Sequence, residues 1–458
     1  MKIREKHIVD QNYTTVTDDM NFLDLRSFLL ITANTMRFTF GCQRILFFLS
    51  GRAALLAIAL QAMPAAAAET YTLERLVALA REHNASLLAS RDAAAAARAG
   101  IVSAGAFPNP EVEYLSGKQR ARAPSASVGE AKSFWFTQRL EYPHQRNARI
   151  DAARAGAEMA DGEARSIEAN VLSLLRVRFY DLLRREAEVK AAEEDLALME
   201  QIHKRVAVRV ETGEAPRYEL IKAEAETLNS RKVSQSSKLR VVQARTALRL
   251  VVGGRLPEEF SVSGDLDRPR EVLPLEILRR EVEERNPELF RARAATQQAL
   301  QQMELERSLR LPAVSLRAGY DQDPDVRAQQ FGVVVTVPLF DRRTGPLAAA
   351  AAQYSRTQHD RDYQRLALLQ SLEAAWQQFQ IAQGQVSALE SGIVRQAESA
   401  LKVAEAAYRY GERGILDYLD AQRVYRSVRN ELIAARHDLQ LAAIEIERLR
   451  AIPDNSNP

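Results

Sequence analysis

Cysteine is almost absent from the 458 residues; the one copy is Cys42. That excludes a disulfide framework and a zinc cage of paired thiolates. Neither sign of charge dominates, with 63 Lys and Arg against 60 Asp and Glu and a formal net charge of +3. A dedicated nucleic-acid binder would gather a basic excess on one face, so that class is set aside. Beyond residue 68 no apolar run approaches the ~20 residues of a membrane-spanning helix. Catalytic signatures are missing too. There is no phosphate-binding P-loop, no nucleophile elbow and no paired-histidine zinc motif, so energy must come from a partner and no enzyme is expected. The histidines beyond residue 68 (His83, His144, His203, His359, His437) are widely separated. None sits at the i, i+4 spacing that would let two share a metal. No cofactor is expected.

What is present begins with a leader. Arg37, Arg44 and Arg52 precede an apolar run over residues 53–60, followed by Pro64 and an alanine tract that ends at Ala68. A basic segment, an apolar segment of ~7–15 residues and a small-residue end read as a secretory signal peptide. The expectation is a signal over residues 36–68, cut between Ala68 and Glu69. Translation then starts at Met36, and residues 1–35 are a mis-assigned upstream extension. Cys42 precedes the apolar run rather than following it, so no lipid attachment is expected there.

The remainder repeats itself. Asn84 and Asn286 lie 202 residues apart, as do Pro110 and Pro312; Arg146 and Arg343 are 197 apart, Gly213 and Gly411 198. Four anchors in one order at a near-constant offset point to a duplication, with units over residues 69–271 and 272–458. Each unit reads as helix, strand, strand, long helix, turn, helix. Residues 146–211 hold no proline and are rich in Ala, Glu, Arg and Leu, all strong helix formers. At 1.5 Å per residue they predict a helix of about 99 Å, and residues 343–410 one of about 102 Å. A glycine follows each, as a helix end prefers. Second helices over 216–252 and 415–451 come to about 55 Å, shorter ones over 84–107 and 287–310 to about 36 Å. Stacked end to end, a short and a second helix would cover one long helix.

Four segments alternate instead: 110–117, 133–142, 312–320 and 331–339. Phe331, Val333, Val335, Val337 and Leu339 share one face; Phe134, Phe136 and Leu140 share another, opposite Ser133, Trp135, Thr137 and Arg139. Segments of ~9–11 residues with this alternation fit membrane-spanning β-strands. The same alternation also fits an ordinary half-buried sheet. A bilayer tolerates no open sheet edge, and outer-membrane barrels need about eight strands or more. A membrane role for four strands therefore requires several chains; three would supply twelve strands.

The most specific motifs lie at the two helical turns. Val210 to Gly213 lead to Glu219, Leu220, Ala223 and Glu224; Tyr408 to Gly411 lead to Ile415, Asp417, Leu419, Ala421 and Gln422. Val337, Pro338, Leu339, Phe340 and Asp341 precede the second long helix. Together with the duplication, this pattern resembles the TolC family of outer membrane efflux proteins over residues 69–458. The resemblance implies a mainly α protein with a β-barrel contribution. Duplicated long helical hairpins and four transmembrane strands per protomer would build a homotrimer, with a 12-stranded barrel in outer membrane lipid and an α-helical tunnel in the periplasm. It further implies a passive duct, fed by an inner-membrane RND-type pump through a periplasmic membrane-fusion adaptor. Gly213, Glu214, Pro216, Gly411, Glu412 and Gly414 at the turns would meet that adaptor. Glu398, Lys402 and Glu405 would line the lower tunnel, where Lys402 speaks against a simple acidic cation filter. Phe107 to Pro110, and Gln138 to Glu141 leading to Arg146, resemble the cobalt–zinc–cadmium resistance (CzcC-like) branch, which implies heavy-metal cation efflux. Multidrug efflux and type I protein secretion stay open within the family, and a periplasmic coiled-coil scaffold without a pore stays open outside it.

Overall fold

The computed structural model describes residues 69–451 apart from 121, 123, 126, 269 and 270. The expected signal peptide, Ala68 and the upstream extension lie outside the described residues.

Helix α3 (Pro143–Glu211) runs for 69 residues, about 104 Å at 1.5 Å per residue. It opens on Pro143, where a missing N–H leaves no bond unmade. Its first part buries small residues, Ala148, Ala152, Ala155 and Gly162, so two neighbours approach closely. Those neighbours are α2 (Ala85–Gly105) and α6 (Pro287–Ser308). A Cβ on Gly162 would stand only 3.1 Å from the Cα of Arg291. The later part of α3 packs against α4 (Arg217–Val251) and α9 (Ile415–Arg450). Helices α2 and α4 thus cover successive stretches of α3, as the end-to-end stacking of a short and a second helix requires.

Short helices precede α2 and α6: α1 (Leu73–His83) and α5 (Leu275–Arg285). The junctions are built alike. Asn84 accepts the N–H groups of Ser86 and Leu87 through its side-chain oxygen, at 2.9 and 3.2 Å, and so caps α2. Asn286 does the same for α6 with Glu288 and Leu289, at 2.8 and 3.3 Å. Each amide nitrogen donates to a carbonyl near the end of another helix, Val251 or Leu449, at 2.8 Å in both cases. Strands β1 (Thr70–Thr72) and β4 (Ser261–Ser263) pair in parallel beside α1. Around them lies the main apolar cluster, with Leu76, Leu175, Phe179, Leu248 and Phe260 fully or almost fully buried. A second cluster, around Leu278, Leu372, Phe379 and Ile446, occupies the corresponding place in the other half.

The second long helix is not one uniform α-helix. It consists of α7 (Thr344–Ala388), a π turn over Leu389–Ile393, and α8 (Val394–Arg409). The N–H of Val394 reaches the carbonyl of Leu389, five residues back.

The four longer strands, β2 (Glu111–Gln119), β3 (Gly129–Leu140), β5 (Ala313–Gln322) and β6 (Arg327–Thr336), form one antiparallel sheet in the order β2-β3-β5-β6. β6 stops at Thr336 rather than Leu339, because Pro338 has no N–H to give a ladder. Register places Val112, Phe136, Ala318 and Phe331 in one row, followed toward the loops by Tyr114, Phe134, Tyr320 and Gln329. The opposite face carries Glu113, Trp135 and Gly319, with Thr137 and Arg317 in the adjoining row.

Candidate functional site: the hairpin turns and the open sheet

Both helical turns are closed by the same backbone device. Gly213 (φ +79°) and Gly411 (φ +75°) adopt the left-handed conformation that other residues resist. The N–H of Gly213 bonds Val210 and that of Glu214 bonds Arg209, at 3.2 and 2.8 Å; Gly411 and Glu412 repeat this with Tyr408 and Ala407, at 3.2 and 2.9 Å. This satisfies the last carbonyls of α3 and α8. Glu214 and Glu412 are exposed. Pro216 and Gly414 are extended N-cap residues of α4 and α9 rather than members of the first helical turn. The turn residues expected from sequence are thus grouped by role, two glycines closing helices and two N-cap residues opening them.

Behind the turns lies a cavity of about 690 Å³ lined by Lys204, Arg205, Arg209, Glu405, Tyr408 and Arg409, among others. The Arg209 guanidinium stands 5.1 Å from the centre of the Tyr408 ring, which stacks on Tyr418 at 5.9 Å. Burial, with the Glu405 carboxylate adding to it, pushes the Tyr418 phenol up to about 12. Glu405 pairs with Arg409 at 2.8 Å and reaches Arg205 at 3.9 Å. Glu398 instead pairs with Lys402 one turn away, at 2.6 Å. That hydrogen bond raises the Lys402 ammonium above the ordinary lysine range, so it stays charged. The three candidate lining residues therefore split into two separate ion pairs and do not converge. Among the described residues, no group of three or more His, Cys, Asp and Glu side chains is placed to hold a metal ion.

A short way above the turns, Asp195 of α3 is almost wholly buried. Its carboxylate accepts from Ser230 of α4 at 2.7 Å, and from Gln422 and Arg426 of α9 at 2.8 and 3.2 Å. The sequence marks Gln422 through its motif but gives no sign of Asp195, which reads as one more charge on a solvated helix.

The sheet offers a different surface. β2 and β6 are unpaired edges in the single chain. One face is apolar and exposed, with Phe331 at 85% and Val333 at 60% exposure. On the other face the Arg317 guanidinium lies 4.2 Å from the centre of the Trp135 ring and 3.6 Å from the Glu113 carboxylate. No helix among the described residues is long and apolar enough to cross a membrane. Glu69 lies exposed beside β1, its carbonyl accepting the Ser261 N–H at 3.1 Å.

The sequence profile described as Outer membrane efflux protein matches residues 76–254 and again 278–451. The cobalt-zinc-cadmium resistance protein CzcC of Cupriavidus metallidurans is 26% identical, over 84% of this chain and 91% of its own. Outer membrane protein TolC of Vibrio cholerae is 23% identical, over 81% and 88%. In structure, CusC matches with a TM-score of 0.72 at 19% identity, covering 82% of this chain and 91% of its own. The Campylobacter jejuni CmeC outer membrane channel matches with a TM-score of 0.73 at 14% identity, covering 83% and 85%. The chain belongs to the outer membrane efflux protein family and is a protein of the outer membrane with its helical part in the periplasm.

Proposed function

We propose that the chain is the outer-membrane duct of a tripartite efflux system for heavy-metal cations, assembled as a homotrimer. The observation that carries this reading is the four-stranded sheet, apolar on its exposed face and open at both edges. In hydrocarbon each unpaired edge group costs several kcal/mol, so β2 and β6 must find partners. Three copies joined edge to edge give a closed barrel of twelve strands, with Trp135, Arg317 and Glu113 facing its water-filled interior. The long helices continue from the strands without a break in the chain, and so extend the interior into a tunnel.

At the far end of that tunnel the turns at Gly213 and Gly411, with Glu214, Pro216, Glu412 and Gly414, meet a periplasmic membrane-fusion adaptor, which links the duct to an inner-membrane RND-type pump. Glu398, Lys402 and Glu405 line the lower tunnel. Because each carboxylate there is already paired with a cation, the wall has no strong preference for positive cargo, and selectivity rests with the pump. The metal class is supported by the similarity to a protein named for cobalt, zinc and cadmium resistance. Growth of a deletion strain, with and without the gene restored, tests the reading. Sensitivity to cobalt, zinc or cadmium that the restored gene removes is the expected result. Sensitivity to drugs and detergents alone would replace the metal assignment with multidrug efflux.

A further inference from the structure

The apolar sheet face ends, on the side away from the helices, in a row of cations that conduction does not use. The last apolar row holds Tyr114, Phe134 and Tyr320; one step beyond it, register places Lys132, Gln322 and Arg327 side by side on three neighbouring strands. Strands lie about 4.8 Å apart, so the backbone positions of the two cations stand roughly 10 Å from each other with Gln322 between them. Both are exposed. Lys132 keeps one carboxylate, Glu130 on its own strand, at 2.8 Å. Arg327 has no ion pair among the described residues. None of the acids in the β5–β6 turn forms an ion pair with Arg327. Asp323 accepts the N–H groups of Asp325 and Val326 within the β5–β6 turn, Asp325 accepts from Ser127, and Asp321 belongs to the opposite face.

We propose that this row binds the phosphorylated glycolipid of the outer leaflet. Its phosphates sit on Lys132 and Arg327, Gln322 donates between them, and its acyl chains run down past Phe134 and Tyr320. The inference rests on the barrel reading above, with the strand loops facing outward. A lysine ammonium and an arginine fork are the side chains suited to phosphate oxygens. Next to hydrocarbon their attraction for an anion is screened less than at an open surface. A lipid-facing cation is unfavourable at the bilayer midplane and nearly neutral in cost near the headgroups, so the row also marks where the headgroups lie.

The test uses protein extracted from outer membranes in mild detergent and offered equal amounts of bisphosphorylated lipid A, its dephosphorylated form, and phosphatidylethanolamine. Bound lipid is counted by native mass spectrometry. The phosphorylated form should be retained over both others, and less so as salt is raised. In K132Q/R327Q retention should fall about 5-fold, the factor for one uncompensated basic side chain beside an anionic membrane surface, because Glu130 already offsets Lys132. R139Q removes a charge from the opposite face and should change nothing. Equal retention of phosphorylated and dephosphorylated lipid A by the unmodified protein would overturn the proposal, as would full retention by the double variant. Absence of the unmodified protein from the outer-membrane fraction would instead overturn the duct reading beneath it.

Discussion

The indole of Trp135 lies across the backbone of Gly319 on the neighbouring strand, so close that a Cβ on Gly319 would fall 2.5 Å from Cζ3. Trp135 can lie flat there, with Arg317 over its ring, only because position 319 has no side chain. Gly319→Ala should therefore displace the indole and cost roughly 1–3 kcal/mol, the usual penalty of overpacking. Thermal unfolding of the purified protein measures the loss. A shift in Trp135 emission, read in a Trp376→Phe background, locates it. Adding Trp135→Leu to Gly319→Ala should recover most of the stability.

Asp195 ties α3 to both α4 and α9 through one buried carboxylate. Asp195→Ala strands the donors of Gln422 and Arg426. Because Arg426 keeps some contact with water, the expected loss is about 2–3 kcal/mol, below the full penalty for an orphaned buried charge. Denaturant midpoints followed by helical circular dichroism check it. Arg426→Ala introduced on top should add less than it does alone.

His437 is buried on α9 against Arg184 of α3, and burial holds its imidazole below the ordinary 6.5. Asp438 and Asp181 oppose the shift, whereas Arg184 adds to it. The unfolded chain then binds the proton more readily than the folded one, so stability rises with pH across the interval between the two values. The contribution is complete above pH 6.5 and is lost as pH falls through the folded value. Urea midpoints between pH 5 and 8 should show this slope, and His437→Gln should flatten it.

Two glycines separate conformational strain from crowding. Gly411 and Gly253 both have positive φ, but a Cβ on Gly411 meets nothing within 4 Å, whereas one on Gly253 would lie 2.5 Å from the His83 carbonyl oxygen. Gly411→Ala should cost about 1–2 kcal/mol, the left-handed backbone penalty alone. Gly253→Ala should cost a further 1–3 kcal/mol, because the junction of α1 and α2 must move. Equal losses for the two in a denaturant series would contradict this account.

The long helices, the strand pairs and the turns were legible because each carries a local signal: residues 146–211 without proline, alternation from Phe331 to Val335, glycine at 213 and 411. The elements that sequence did not reveal depend on distant partners. Three residues at Thr70–Thr72 have no readable period, and they become a strand only because Ser261–Ser263 lies alongside. Helices α1 and α5 are brief, and their separation from α2 and α6 rests on what Asn84 and Asn286 grasp some 165 residues away. Asp195 likewise acquires its role from side chains 35 and 227 residues further on. In the second long helix, nothing in residues 389–393 announces a π turn.

That turn has a numerical counterpart. Gly213 follows Arg146 by 67 residues, and Gly411 follows Arg343 by 68. Between these matched anchors the second stretch holds one residue more than the first, although the helical rods themselves run 69 residues in α3 and 66 from Thr344 to Arg409. A π turn accommodates one residue more than an α turn, so the surplus enters the girth of the helix at Leu389–Ile393 instead of its reach. A surplus residue in an unbroken α-helix would rotate every later side chain by about 100°; the wider turn takes up that rotation.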